Sequence, residues 1–282
     1  IDLNTSFTGE DSLDISLDAG TAAEGVAEFD GNSGGDDLTV DGVSYTFPLG
    51  DKTTVIAGID TDGSALFTTA CVYGGPSNTL DDCGNLVSGI TGGGATVGAS
   101  YDFGNGLTAA FGAQTTETAV FTEESADDYA FNIAYTGDNY GLSLTYADVE
   151  ALTINETAVT DVTSYALQAY YTPEGSGLPS ISAGYETGET TVTALGTDHD
   201  AEHWFVGLTW DEVGPGSAGI AIGSTFPTLD IAGVDASTMM EAYYSYPIND
   251  GMTITPLIYT QSAIEDGVDD TTGVMVKTSF SF

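Results

Sequence analysis

Carboxylates dominate the side chains of this sequence that could do chemistry. Of its 282 residues, 43 are Asp or Glu and 2 are Lys or Arg, so the formal net charge is −41. Two basic residues cannot neutralise a track of phosphates, and the composition therefore argues against a partner made of nucleic acid. Carboxylates in a wall of low dielectric concentrate cations. We expect electrostatic attraction of cations, and no arrangement of nucleophile and base indicates an enzyme.

Cysteine and histidine are sparse enough to be considered one by one. Cys71 and Cys83 lie 12 residues apart in a segment rich in Gly, Asn and Asp. Such a pair predicts one loop disulfide formed in an oxidising compartment, and a free, buried pair is the alternative. His199 and His203 stand four residues apart, but they lead into a predicted strand, where two imidazoles need not converge on a metal.

The acidic loops offer weak candidates for cation binding. The segment 265–270 could hold Ca²⁺ weakly, yet it lacks the ordered spacing of Asp, Asn and Gly that defines a calcium-binding loop. Solvated surface is the simpler interpretation. We therefore predict no cofactor and no metal site.

Alternation of apolar and polar residues recurs from end to end of the chain. Leu13, Ile15 and Leu17 share one face of a predicted strand, while Asp14 and Asp18 share the other. With 41% hydrophobic and 10% aromatic residues, the chain is no disordered acidic tail. Its longest apolar runs fall far short of the roughly 20 residues of a membrane-spanning helix. The pattern predicts strands at 2–8, 12–18, 43–49, 52–60, 95–103, 107–114, 128–136, 140–149, 164–172, 179–186, 203–210, 218–225, 240–248, 252–260 and 274–282.

The connections between these 15 strands alternate between short turns and long polar loops. The long ones are 19–42, 61–94, 115–127, 150–163, 187–202, 226–239 and 261–273. Short turns on one side and long loops on the other are typical of outer-membrane barrels. A closed sheet of this size is too wide for side chains to fill, so we expect the apolar face in lipid and the polar face around water.

The predicted fold class is therefore all-β, an antiparallel up-and-down transmembrane β-barrel that occupies 1–282 as one pore domain in the bacterial outer membrane. Single-chain bacterial barrels normally have an even number of strands. An odd count predicts that the first strand is absent from this chain and that the intact barrel has 16. The alternative is a strand hidden in 19–42.

Aromatic residues stand where predicted strands run into the short turns, on the apolar face. Amphipathic rings suit the boundary between lipid and water, so these residues predict an aromatic girdle on the short-turn side. The girdle residues are Phe7, Phe47, Phe103, Tyr135, Tyr171, Trp210, Tyr246 and Phe282.

The opening segment Thr5-Ser6-Phe7-Thr8-Gly9 and the later Leu17-Asp18-Ala19-Gly20 resemble cyanobacterial outer-membrane porins, often described as iron-uptake porins. The terminal Phe282 on an alternating strand resembles the assembly signal of bacterial barrels. The resemblance implies a homotrimer that conducts solutes, including iron. It also implies an N-terminal S-layer homology domain that binds the periplasmic cell wall, which nothing in this chain matches. Family members carry Lys or Arg near Glu10, Asp14 and Asp18, so selectivity does not transfer.

Strand parity assigns the charged residues that would face the lumen. With a first strand restored, 61–94 becomes the third outer loop, which folds inward and narrows the pore in general porins. Because acids far outnumber bases, we predict a preference for cations. The predicted lumen and constriction acids are Asp14, Asp18, Asp60, Asp62, Asp81, Asp82, Asp102, Glu186 and Glu241, and the predicted lumen base is Lys277.

Three functions compete at this point. The leading hypothesis is a non-enzymatic porin that passes small hydrophilic solutes and inorganic ions. A surface adhesin or structural barrel, whose outer loops carry the function, is the first alternative. A secreted, acidic β-protein stabilised by calcium is the second. Conductance in a bilayer separates the first from the others.

Overall fold

The computed structural model describes residues 2–18, 37–77, 79–91, 93–115, 126–154, 157–175, 177–231, 236–263 and 269–281. A helix with the length and hydrophobicity of a membrane span is absent from these residues. All strands belong to one antiparallel sheet, in which 15 of them follow one another in chain order. They are β1 (Asp2–Thr5), β2 (Ser12–Asp18), β3 (Thr39–Pro48), β4 (Thr53–Ile59), β5 (Ala95–Gly104), β6 (Leu107–Thr115), β7 (Asp127–Thr136), β8 (Tyr140–Ile154), β9 (Thr157–Tyr171), β10 (Ser180–Val192), β11 (Thr197–Val213), β12 (Gly216–Ser224), β13 (Thr228–Leu229), β14 (Thr238–Asn249), β15 (Met252–Gln261) and β16 (Thr271–Phe280).

Each of the 15 predicted strands corresponds to a strand of the structure, and the all-β, up-and-down prediction is confirmed. One strand was not predicted: β13 has two residues and pairs with Ala201 and Glu202 of β11 instead of joining the sequential path. A strand this short carries no alternation to detect.

The prediction of outer loops was wrong for two segments. The segments 150–163 and 187–202 consist mostly of strand, because β8 and β9 extend to Ile154 and from Thr157, and β10 and β11 extend to Val192 and from Thr197. Both segments are rich in Thr, a β-branched residue that favours extended backbone. Since about 9–11 tilted residues cross a bilayer, strands of 13–17 residues reach well past such a span.

The two faces of the sheet differ in chemistry as the alternation predicts. Large apolar side chains cover the outer face, with Phe131, Leu144 and Leu167 each about half exposed. The inner face can be traced through directly paired residues, from Asp14 through Ser44 of β3 and onward strand by strand to Lys277 of β16. Its residues are mostly small or polar.

The ends of the sheet run in the same direction, because an odd number of strands lies on the antiparallel path. Within the described residues, no ladder of hydrogen bonds joins β1 to β16. That the intact barrel has 16 strands around its path stays a prediction.

Candidate functional site

The described residues between β4 and β5, which are 60–77, 79–91, 93 and 94, lie inside the curved sheet, and we call them the inward loop. Asp60 and Gly94 close its base: the Asp60 amide donates to the Gly94 carbonyl at 2.8 Å, and the Gly94 amide donates to Asp60 Oδ1 at 3.0 Å. Asp60 has a φ of 50°, a left-handed conformation that Asp tolerates better than most residues. Beyond this base, the Gly63 amide donates to Gln114 Oε1 of β6 at 3.0 Å.

Backbone amides of the inward loop bond to polar side chains of successive strands. The Thr68 amide donates to Asn132 Oδ1 of β7 at 3.2 Å, and the Ala70 amide donates to Ser143 Oγ of β8 at 2.9 Å. Further along, the Val72 amide donates to Ser182 Oγ of β10 at 3.0 Å. One loop contacts strands from β6 to β14, so the sheet must curve around it as a barrel wall.

Glu186 of β10 makes four hydrogen bonds, three of them to the loop. Its carboxylate accepts from the amides of Leu86, Val87 and Ser88 at 2.9, 3.1 and 2.6 Å, and from Ser164 Oγ at 2.8 Å. Only 2% of Glu186 is exposed. A buried carboxylate is tolerated where hydrogen bonds replace its water, and here amides of the loop supply them.

Glu241 of β14 bonds to an earlier part of the loop. It accepts from Tyr73 Oη at 2.6 Å and from Ser77 Oγ. Tyr73 also packs its ring against Phe205 and Tyr243 in an apolar cluster that covers the inner face of β11–β16. The loop therefore binds this wall by hydrogen bonds and by apolar packing together.

His203 of β11 holds the tip of the loop. Its Nε2 lies 3.3 Å from the Asp82 carboxylate, and its Nδ1 lies 2.9 Å from Ser224 Oγ. Gln168 Nε2 of β9 donates to the carbonyls of Asp82 and Cys83 at 2.9 and 3.3 Å. The side chain of His203 is 1% exposed and that of Asp82 is 16% exposed, so this contact is largely shielded from water.

Glycines in the wall let the loop backbone approach closely. A Cβ on Gly184 of β10 would lie 1.8 Å from the Cys83 carbonyl oxygen, and a Cβ on Gly112 of β6 would lie 1.9 Å from the Gly63 carbonyl oxygen. No side chain larger than hydrogen fits at either place. The wall is thus shaped to hold this loop.

Cys71 and Cys83 form a disulfide within the inward loop, as predicted. The bridge joins the segment that crosses β8 and β10 to the tip beside His203. In the described part of the chain no free cysteine remains.

Among the predicted acids, those of the inner wall beside the loop differ from those within the loop in what their carboxylates face. Glu186 and Glu241 lie on the inner face, but their carboxylates hold the loop and do not face open water. Asp62 and Asp81 lie in the loop, where their side chains reach water but the surrounding protein removes part of their hydration. Desolvation inside the barrel, with a smaller effect of the neighbouring Asp82 carboxylate, raises the pKa of Asp81 to about 6.

The remaining predicted residues lie on strands away from the loop contacts. Asp14 of β2 accepts from Asn4 Nδ2 and, at 2.7 Å, from Ser12 Oγ, while Asp18 ends the same strand. Asp102 of β5 accepts from the Gly104 amide at 2.7 Å and caps a turn. Lys277 is exposed opposite Thr255 on the inner face.

The predicted girdle residues lie on the outer surface close to the short turns, except for Phe282, which is outside the described residues. Several have an aromatic neighbour on the same surface: Phe47 stacks on Tyr45 at 5.5 Å, and Tyr135 lies 5.7 Å from Tyr140. The described members are Phe7, Phe47, Phe103, Tyr135, Tyr171, Trp210 and Tyr246.

Metal ligation finds no support in the residues that the structure describes, where no group of three His, Cys, Asp or Glu side chains converges. His199 Nδ1 lies 2.8 Å from the Asp230 carbonyl, and His203 is engaged with the loop. The acidic segment 265–270 lies mostly outside the described residues.

Comparison with known proteins identifies the fold. No protein-family model matches the chain, and no curated protein sequence matches it. An anion-selective porin from Comamonas acidovorans superposes with a TM-score of 0.66 over 99% of this chain and 87% of that chain, at 14% identity. OmpT, an outer membrane protein of Vibrio cholerae, superposes with a TM-score of 0.64 over 99% and 87%, at 12% identity, and its trimer form with 0.61 over 98% and 86%, at 13%. The chain therefore has the porin-like barrel fold of these bacterial proteins.

Proposed function

We propose that this protein is a porin of the bacterial outer membrane, a passive channel for small hydrophilic solutes and inorganic ions. The observation that carries the proposal is the inward loop, which narrows the interior of a barrel whose outer face is apolar. Exposed apolar surface of this extent is unfavourable in water and favourable in lipid. Passive transport requires no covalent step, so we propose no enzymatic activity.

The aromatic rings near the short turns support this placement. Rings such as Phe103 and Tyr171, each 50% exposed, would lie at the boundary between hydrocarbon and water. We assign the short-turn side to the periplasm and the extended hairpins β8–β9 and β10–β11 to the cell exterior.

Cation preference follows from the charge of the chain. Among the described residues, exposed carboxylates such as Asp62 and Asp81 lie inside the barrel, and Lys277 supplies the positive charge on the inner face. The structurally similar Comamonas acidovorans protein is described as anion-selective. Because wall charges set selectivity within one fold, the opposite preference is compatible with the shared barrel.

Assembly and solute identity are further parts of the proposal. A homotrimer agrees with the trimer form of the similar Vibrio cholerae protein. Attachment to the cell wall through an N-terminal domain and passage of iron rest on the sequence resemblance.

Planar-bilayer recording tests the proposed function. Purified protein should insert into the bilayer and give discrete conductance steps. In a KCl gradient, the sign of its reversal potential should be that of a channel more permeable to K⁺ than to Cl⁻. Absence of conductance from folded, inserted protein would favour the adhesin alternative. Anion preference at low salt would reject the proposed selectivity.

A further inference from the structure

The inward loop covers the interior unevenly. On β8–β14 the inner face is almost fully covered: Ser143, Ser182, His203 and Ala221 are each 1% exposed. Their hydrogen bonds and packing go to the loop, as described above. No water-filled path can run between the loop and this part of the wall.

Among the residues that the structure describes, the opposite side of the interior is less covered. On β1–β3 and the end of β16, residues of the inner face remain partly or fully exposed, and we call them the uncovered wall. They are Asp2, Asn4, Asp14, Ser16, Ser44 and Lys277. For Asp14, Ser16 and Ser44 the exposure is no effect of a sheet edge, because β2 and β3 pair with neighbours on both sides. Asp2, Asn4 and Lys277 lie on the first and last strands of the path.

We infer that solutes in the channel proposed above pass along this uncovered wall, off the barrel axis, and that Lys277 determines how strongly cations are preferred there. The inference rests on the proposed function and changes the residues assigned to selectivity. Glu186 and Glu241 position the loop, while Asp2, Asp14 and Lys277 face the passage.

The charges of the uncovered wall explain why one lysine matters. Asp2 and Asp14 are bonded only by neutral donors in the described contacts, from Ser16 Oγ at 2.9 Å and from Ser12 and Asn4, so no positive side chain compensates them there. In the part of the chain that the structure describes, Lys277 makes no ion pair, and it is the only Lys or Arg on the inner face. Its ammonium group therefore repels cations that enter the passage.

Charge reversal at the two lysines tests the role of Lys277. Lys277→Glu should raise the cation-to-anion permeability ratio about threefold at low salt, where screening is weak. Lys52→Glu makes the same change of charge at the short-turn rim, where Lys52 Nζ bonds to the Phe103 carbonyl at 3.3 Å, and should leave the ratio close to that of the unmodified channel. Equal shifts in both variants, or none in Lys277→Glu, would overturn the assignment.

Thiol labelling tests the path independently of selectivity. Ser44→Cys lies on the uncovered wall and Ser182→Cys under the loop, and the native cysteines are bridged to each other. A charged methanethiosulfonate should modify Ser44→Cys and cause stepwise loss of current, and should leave Ser182→Cys unmodified. Rapid modification of Ser182→Cys, or a protected Ser44→Cys, would overturn the proposed path. Labelling followed by mass spectrometry in detergent gives this result even if the unmodified protein conducts nothing, so failure of the proposed function stays distinguishable.

Discussion

His203 and Asp82 join the barrel wall to the tip of the inward loop across 121 residues of sequence, with Nε2 and the carboxylate 3.3 Å apart. The histidine is fixed on its other side by Ser224 Oγ at 2.9 Å. The contact therefore couples β11 and β12 to a loop that begins at β4. Long-range contacts of this kind, and not local turns, determine the position of the loop.

Removing the imidazole should loosen the loop and lower stability. His203→Ala leaves Ser224 and Asp82 without this partner, and we expect the free energy of unfolding to fall by about 1.5–3 kcal/mol, the usual range for hydrogen bonds to charged groups. Urea unfolding in lipid vesicles, followed by tryptophan fluorescence, measures the change. His199→Ala, at a half-buried position of the same strand, is the control and should cost less. Equal losses would show that the contact with Asp82 contributes nothing specific.

The glycine beneath the loop tip provides a steric test. In Gly184→Ala the added methyl would lie 1.8 Å from the Cys83 carbonyl oxygen, so loop or strand must move. Forcing a methyl into a well-packed place costs about 1–3 kcal/mol, and the displaced loop should change single-channel conductance. Gly74→Ala is the matched control, because nothing lies within 4 Å of its Cβ position. Conductance and stability that are unchanged in Gly184→Ala would contradict the close contact.

Local periodicity predicted the strands and their facing, and the spacing of two cysteines in a polar loop predicted the disulfide, because each depends on residues close together in sequence. Alternation of Phe131 and Ile133 with Ala130 and Asn132 is a property of one strand. The contacts of His203, Gln168 and Ser182 with the loop could not be predicted in this way, since the partners lie about 80–120 residues apart. Polar residues and glycines on the inner face were the available signal, but they indicate a polar neighbour without saying whether it is water or protein.

Titration of Asp81 should make the cation preference depend on pH. Its pKa is raised to about 6 by desolvation and by the nearby Asp82, so it loses its negative charge as the pH falls through about 6, while ordinary carboxylates remain ionised. We expect the cation-to-anion permeability ratio to fall between about pH 7 and 5. Asp81→Asn should remove this step, and Asp250→Asn, in an exposed short turn, should retain it. A step that persists in Asp81→Asn would assign it to another group, with His203 the nearest candidate.

The raised pKa of Asp81 also makes the stability of the folded protein depend on pH. The neutral form of Asp81 is favoured in the folded protein relative to the unfolded chain, where the pKa is near 3.8. Its contribution to stability is therefore fully present below about pH 4, declines between about pH 4 and 6, and is absent above. As the pH rises from about 4 to 6, the unfolding midpoint of the unmodified protein should therefore fall relative to that of Asp81→Asn. An Asp81→Asn variant that parallels the unmodified protein throughout would contradict the raised pKa.

Opening the disulfide should separate the stability of the loop from its position. A bridge that closes a loop of this size contributes about 3 kcal/mol in the chain-entropy model, so replacing Cys71 and Cys83 by Ser should lower the free energy of unfolding by about that amount. Both halves of the loop keep their own contacts with the wall, through Ser143 and Ser182 near residue 71 and through His203 near residue 83. We therefore expect single-channel conductance to stay close to that of the unmodified protein. Reductant applied to the unmodified protein should reproduce the variant, and a large rise in conductance in either case would mean that the covalent bridge, and not the wall contacts, keeps the loop inside the barrel.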